Sequence, residues 1–110
     1  MFWTWTTQAG NNVIVNLADS STTYINQQNR QSNNPLPPND GFAQIQGTGL
    51  KLTVNVPASN GLILSGPFSG NISDPNGNVI GQFFNIAIED GSDGDFNDIW
   101  VSLVAWNTQS

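Results

Sequence analysis

The chain has no cysteine, no histidine and only two cations, Arg30 and Lys51, in 110 residues. The missing cysteine excludes disulfide frameworks, thiolate metal sites and cysteine nucleophiles. The missing histidine removes the commonest general base and the commonest zinc or copper ligand. Two cations against eight acids give a net charge of −6, which leaves little to meet a phosphate backbone and excludes nucleic acid as a partner. Charged residues make up only 9% of the chain, so its polarity comes from 42 Asn, Gln, Ser and Thr residues and 11 Gly. No stretch approaches the ~18 apolar residues of a membrane span. Met1-Phe2-Trp3-Thr4-Trp5 lacks the basic-then-apolar pattern of a secretory leader. The expectation is a single domain over 1-110 with no membrane insertion, cytoplasmic as made or exported without a cleaved leader.

Short segments between Gly and Pro read as strands. Leu50 to Val56 alternates apolar and polar without error, the period of a strand with one buried face. Trp3 to Thr7, Asn12 to Leu17 and the short Leu62-Ile63-Leu64 join it, the last bounded by Asn60-Gly61 and Gly66-Pro67. Asp74-Pro75-Asn76-Gly77-Asn78 is a hairpin turn, since Asn-Gly accepts the positive φ that such turns demand. Val79 to Ile88 and Ile99 to Trp106 carry apolar residues on both faces, as strands covered on two sides would. Earlier in the chain, the polar run from Gln27 to Asn34, leading into Pro35-Leu36-Pro37-Pro38, reads as a long connection. No segment shows a helical stripe, and the fold class is all-β: an antiparallel β-sandwich of about nine short strands.

Five of the eight acids, Glu89, Asp90, Asp93, Asp95 and Asp98, fall within ten residues. A charge run is most simply a solvated surface, but the rest of this chain avoids charge. No cation lies nearby in sequence, and carboxylates ~5 Å apart repel by about 3 kcal/mol at an effective dielectric of 20. Gly91 and Gly94 let the backbone curl the acids into a cup. A hard cation relieves the repulsion, and Ca2+, which takes six to eight oxygens in flexible geometry, fits best. Asp93, Asp95 and Asn97 match the first three ligands of an EF-hand loop, but Asp98 stands where its Gly belongs and Val104 where its Glu belongs. The loop is not an EF-hand. Five charges exceed what one Ca2+ needs and suit two.

Glu89-Asp90-Gly91-Ser92-Asp93-Gly94-Asp95-Phe96-Asn97-Asp98 resembles the two-calcium site of the bacterial fucose- and mannose-binding lectins of the LecB type, E-D-G-T/S-D-x-D-Y/F-N-D before a final apolar strand. Ala18-Asp19-Ser20-Ser21 resembles the family's Ala-Asn-Ser-Ser loop. The resemblance implies that Glu89 and Asp93 bind one calcium, Asp95 and Asp98 bridge both ions, and Asn97 binds the second. Asp19, in place of the family's Asn, adds a further ligand to the second ion. Asp90 stays off the metal and accepts hydrogen bonds from sugar hydroxyls. Ser20, Ser21, Thr22 and Ser92 face the sugar, and vicinal hydroxyls of a monosaccharide such as fucose or mannose complete both calcium shells. In the family a partner subunit's C-terminal carboxylate finishes the second site, a role that falls here to Ser110 in a homodimer or homotetramer. The chain continues further past Asp98 than the family's does, and the extra charge of Asp19 could replace that carboxylate.

The four tryptophans, Trp3, Trp5, Trp100 and Trp106, lie in strand-like segments and are expected in the core or a subunit interface rather than on a sugar. The leading reading is a calcium-dependent lectin and not an enzyme. The main alternative is a calcium-stabilised sandwich module of a bacterial surface or adhesin protein without sugar binding. A glycoside hydrolase needs separated acids along a cleft, which one acidic loop does not supply.

Overall fold

A computed structural model describes residues 1–91 and 93–107. Eight strands are arranged in two antiparallel sheets: β1 (Phe2–Thr7), β2 (Val13–Ala18), β3 (Thr23–Arg30), β4 (Asn39–Phe42), β5 (Lys51–Asn55), β6 (Ile63–Ser73), β7 (Val79–Glu89) and β8 (Ile99–Trp106). One sheet has the order β4-β1-β8-β7-β6 and the other β3-β2-β5. The fold is an all-β sandwich. Among the described residues no helix is long and apolar enough to cross a membrane.

Alternation decides what faces the core. Trp5, Val13, Val15, Leu17, Ile25, Ile86, Ile88, Ile99, Val101 and Leu103 all point between the sheets and are buried. The opposite residues of β8, Trp100 and Trp106, are 41% and 48% exposed. The expectation that β7 and β8 are covered on both faces therefore fails. Three strands cover only part of five, and the second face of the larger sheet is left to solvent. On the inner side the uncovered part of β6 and β7 leaves an apolar groove of about 580 Å3 against the β5 edge.

Two segments differ from expectation and a third, unassigned in the sequence, forms a strand, each for a local reason. The polar run around Gln27 is not a connection but most of β3, paired through its backbone to β2 with Val13 opposite Arg30 and Val15 opposite Gln28. It is an edge strand whose side chains mostly face water, so a hydrophobic pattern cannot reveal it; only Ile25 enters the core. Asn39-Asp40-Gly41-Phe42 has turn-like composition yet pairs with β1, Gly41 opposite Trp3. A Cβ on Gly41 would lie 2.2 Å from Trp3 Cζ2, so glycine is there to admit the indole. The Leu62–Leu64 segment does not stop at Gly66-Pro67: β6 continues to Ser73 with a register shift between Ser65 and Phe68. Such an irregularity absorbs the missing proline N–H.

The Asp74–Asn78 turn forms as expected. Asp74 Oδ1 accepts from the N–H groups of Asn76 and Asn78, both at 2.9 Å, and Gly77 takes a φ of +86°. Leu17, fully buried at the centre of the smaller sheet, is the sharper test of the packing. Leu17→Ala should lower the unfolding free energy in urea by about 2–5 kcal/mol. Val79→Ser, at an exposed strand start, should change it by less than about 0.5 kcal/mol.

Candidate metal and sugar site

The acidic loop, residues 90–98, joins β7 to β8. Those strands pair up to Ile88 opposite Ile99, so Glu89 and Asp98 are the next residues on each side and meet face to face. Both are buried, 1% and 7% exposed, although neither has a cation beside it. Arg30 lies over the Trp5 ring, 5.7 Å from its centroid, and Lys51 is paired with Ala18 at the far end of β5. The loop then arches back over the pair. Gly94 at φ +71° and Phe96 at φ +56° supply the left-handed turns. The Phe96 position is unusual for a bulky residue and lets its N–H donate to Glu89 Oε2 at 3.3 Å.

One carboxylate oxygen from each of Glu89, Asp93, Asp95 and Asp98 lies within 4.8 Å of all the others. Glu89 and Asp98 form the floor, and the exposed Asp93 and Asp95 the rim. Asp90 is outside this group: its Oδ2 accepts from Asn11 Nδ2 at 3.4 Å, and its carbonyl accepts from Ser59 Oγ at 2.7 Å. Asn97 sits beside the cluster, with its side-chain amide donating to Gln8 Oε1 at 3.5 Å. Ser92 and Ser110 lie outside the described residues. Gln8, Asn11 and Ser59 are contributors that motif reading missed. The available signal was that each follows the end of a strand reaching this end of the sandwich.

The charges in the cluster are coupled. A hydrogen bond from Asp98 is the first reason that Glu89 is held down at about 2; the N–H groups of Gly91 and Phe96 add to it. Burial, followed by the same hydrogen bond to Glu89, pushes Asp98 up to about 7. Asp93 is raised as well, first by its own hydrogen bond to Glu89. In physical terms the negative charge of the pair is favoured on Glu89, burial works against charge on Asp98, and neither has a cation beside it.

Asp19 and its neighbours are elsewhere. β2 begins beside the acidic loop, since Asn11 reaches Asp90 just before Val13. It then runs six residues away, which at ~3.3 Å per residue puts Asp19 about 20 Å off, at the opposite end of the sandwich. There both Asp19 oxygens are engaged. Oδ1 accepts from the N–H groups of Ser21 and Thr22 at 2.8 Å, and Oδ2 accepts from Gly47 N–H at 2.9 Å and from the Tyr24 hydroxyl. These bonds, led by that from Tyr24, lower Asp19 to about 2. Ser20 Oγ accepts from Thr48 N–H at 3.0 Å. Within one chain, then, Asp19, Ser20, Ser21 and Thr22 form a self-satisfied loop and are not brought together with the acidic four.

No protein-family model and no curated protein matches the chain. Among solved structures it is similar to the high-affinity mannose-binding lectin of Ralstonia solanacearum, with a TM-score of 0.62 and 20% identity over 94% of this chain and 85% of that one. The likeness is one of fold: a bacterial lectin shares the sandwich in which these carboxylates converge.

Proposed function

We propose that the chain is a calcium-dependent, non-enzymatic carbohydrate-binding protein whose acidic loop is its sugar site. The observation that carries this reading is the convergence of four carboxylate oxygens within 4.8 Å of one another. That is the spread demanded across one ion by Ca–O bonds of about 2.3–2.6 Å. The donors are all hard oxygens, as calcium and not zinc prefers. Glu89, Asp93, Asp95 and Asp98 hold the first ion. Their second oxygens, with Asn97, serve a second ion, and two Ca2+ balance the four negative charges. Bound calcium supplies open coordination positions for the vicinal hydroxyls of a monosaccharide of the mannose or fucose class. Asp90, left off the metal and steadied by Asn11, accepts the hydroxyl protons in charge-assisted bonds. Asp19, Ser20, Ser21 and Thr22 of the same chain take no part. A second copy covers Phe68, Trp100 and Trp106, which stand exposed on the uncovered face of the larger sheet, giving a homodimer.

Retention on mannose- and fucose-bearing resins should need calcium and be reversed by chelator, and calorimetry should give two ions per chain. Calcium binding with no calcium-dependent sugar signal would leave only a calcium-stabilised module, and a failure to bind calcium would end both readings.

Asp98→Asn keeps the acceptor for Asp90 N–H and offers Glu89 a permanent donor. It should leave the metal-free fold at least as stable, yet weaken calcium by more than about a hundredfold, since outer-shell losses alone cost about 10–100-fold. Thermal melts and calcium titration of the variant would check both halves.

The pH dependence has a definite sign. A carboxyl raised in the folded state keeps a proton that the unfolded chain has lost, so the contribution of Asp98 falls as pH rises from 3.8 to about 7. Glu89 acts oppositely: its contribution is present above its ordinary 4.5 and lost as pH falls toward about 2. In chelator the melting temperature should therefore be highest in mild acid and lower at pH 8. Calcium, which displaces the Asp98 proton, should raise it more at pH 8 than at pH 5. An unchanged calcium increment across that range would contradict the shared-proton picture.

A further inference from the structure

A second concave site lies at the end of the sandwich remote from the acidic loop. It is a cleft of about 940 Å3 beside the β4 edge, walled by Phe2, Trp3, Tyr24 and Phe42 with Asp40 and Gln44 among them. The rings form two tilted pairs. Trp3 and Tyr24 have centroids 6.4 Å apart at 55°, and Phe2 and Phe42 are 6.2 Å apart at 40°. Phe42 on the β4 edge is 78% exposed and Phe2 on β1 is 53% exposed, so both present aromatic faces to water. The inner pair is held in place. Tyr24 donates its hydroxyl proton to Asp19 and accepts from Gln46 N–H at 2.8 Å, and Trp3 packs on Gly41 so closely that a Cβ would overlap it.

We propose that this cleft binds neutral oligosaccharide chains by stacking, without metal. The lining selects the ligand class. Its side chains carry one carboxylate and no cation, and the Met1 ammonium beside it is already held by the Ala43 carbonyl at 2.8 Å, so a strongly anionic ligand finds little to pair with. A purely apolar ligand would strand Asp40 and Gln44 without partners. A sugar ring satisfies all of these constraints: its C–H face lies on an aromatic ring while its hydroxyls reach amide and carboxylate. The volume is at the upper end of small-molecule clefts, about 300–1,000 Å3, which leaves room for more than one ring.

The test uses the full chain in chelator, titrated with cello-, malto-, xylo- and manno-oligosaccharides and followed by indole N–H resonances and calorimetry. At least one series should bind saturably and move the Trp3 indole but not the buried Trp5. Phe42→Ala, at a site too exposed to threaten folding, should weaken it about tenfold, the effect of losing one stacking ring. Gly41→Ala should displace the Trp3 signal and weaken binding too. Asp93→Asn with Asp95→Asn should leave this binding unchanged, which separates its fate from that of the calcium site. No binding in chelator by any series, binding indifferent to Phe42→Ala, or a Phe42→Ala effect confined to self-association in sedimentation would each overturn the proposal.

Discussion

The β7–β8 register brings two carboxyl groups together where water is scarce. With Ile88 opposite Ile99, the next residue on each strand must face the other, and those residues are Glu89 and Asp98. A hydrophobic pair at this point would close the hairpin without difficulty. Two acids close it only by sharing a proton or a cation, and the chain provides neither lysine nor arginine for the purpose. The loop above is built around that constraint. The N–H groups of Gly91, Phe96 and Asp90 all turn inward onto the pair, and the left-handed backbone at Gly94 and Phe96 exists to aim them. Asp93 and Asp95, free to point elsewhere, add to the negative charge instead of relieving it.

Why such an arrangement persists is a question of linkage. Under the proposed function, a carboxyl that burial holds protonated costs stability as pH rises, and bound calcium would reverse the sign by replacing the proton with a larger charge. The cost of the empty cluster and the affinity of the filled one are therefore the same electrostatic quantity seen from two sides. The buried floor of Glu89 and Asp98 sets its size, because charges there are less screened than those on the rim.

Much of this was legible in the residues, and the pattern of success has a physical basis. Strand β8 reads to the residue, Ile99 to Trp106, because its inner side chains are apolar and its ends are marked by acid and amide. The acidic loop stands out because charge is so rare elsewhere in the chain. β3 was hidden because an edge strand needs only backbone partners, and Gln27 to Asn29 offer no apolar face. β4 was hidden because Asn-Asp-Gly usually signals a turn, whereas here the glycine makes room for an indole. Within one chain Asp19 is not brought to the acidic four. Four residues can match a family's loop in type and order while a six-residue strand carries them to the other end of the sandwich. A motif identifies donors; only topology says whether they meet.

That same topology divides the molecule. One end holds the acidic four with Gln8, Asn11 and Ser59 beside them. The other carries Asp19 and Asp40 against Lys51 and the Met1 ammonium, and presents the rings of Phe2, Trp3, Tyr24 and Phe42. The two are separated by the length of β2, about 20 Å, more than twice the ~8 Å Debye length at physiological ionic strength. Filling the acidic cluster with cations therefore changes the potential at the aromatic end very little. Among the described residues no side-chain hydrogen bond joins the two ends, and between them lies an apolar layer that includes Val13, Val15 and Leu17. Under the two proposals, affinity at one end adds to affinity at the other, and a glycan long enough to touch both would gain by effective concentration and not by any conformational signal.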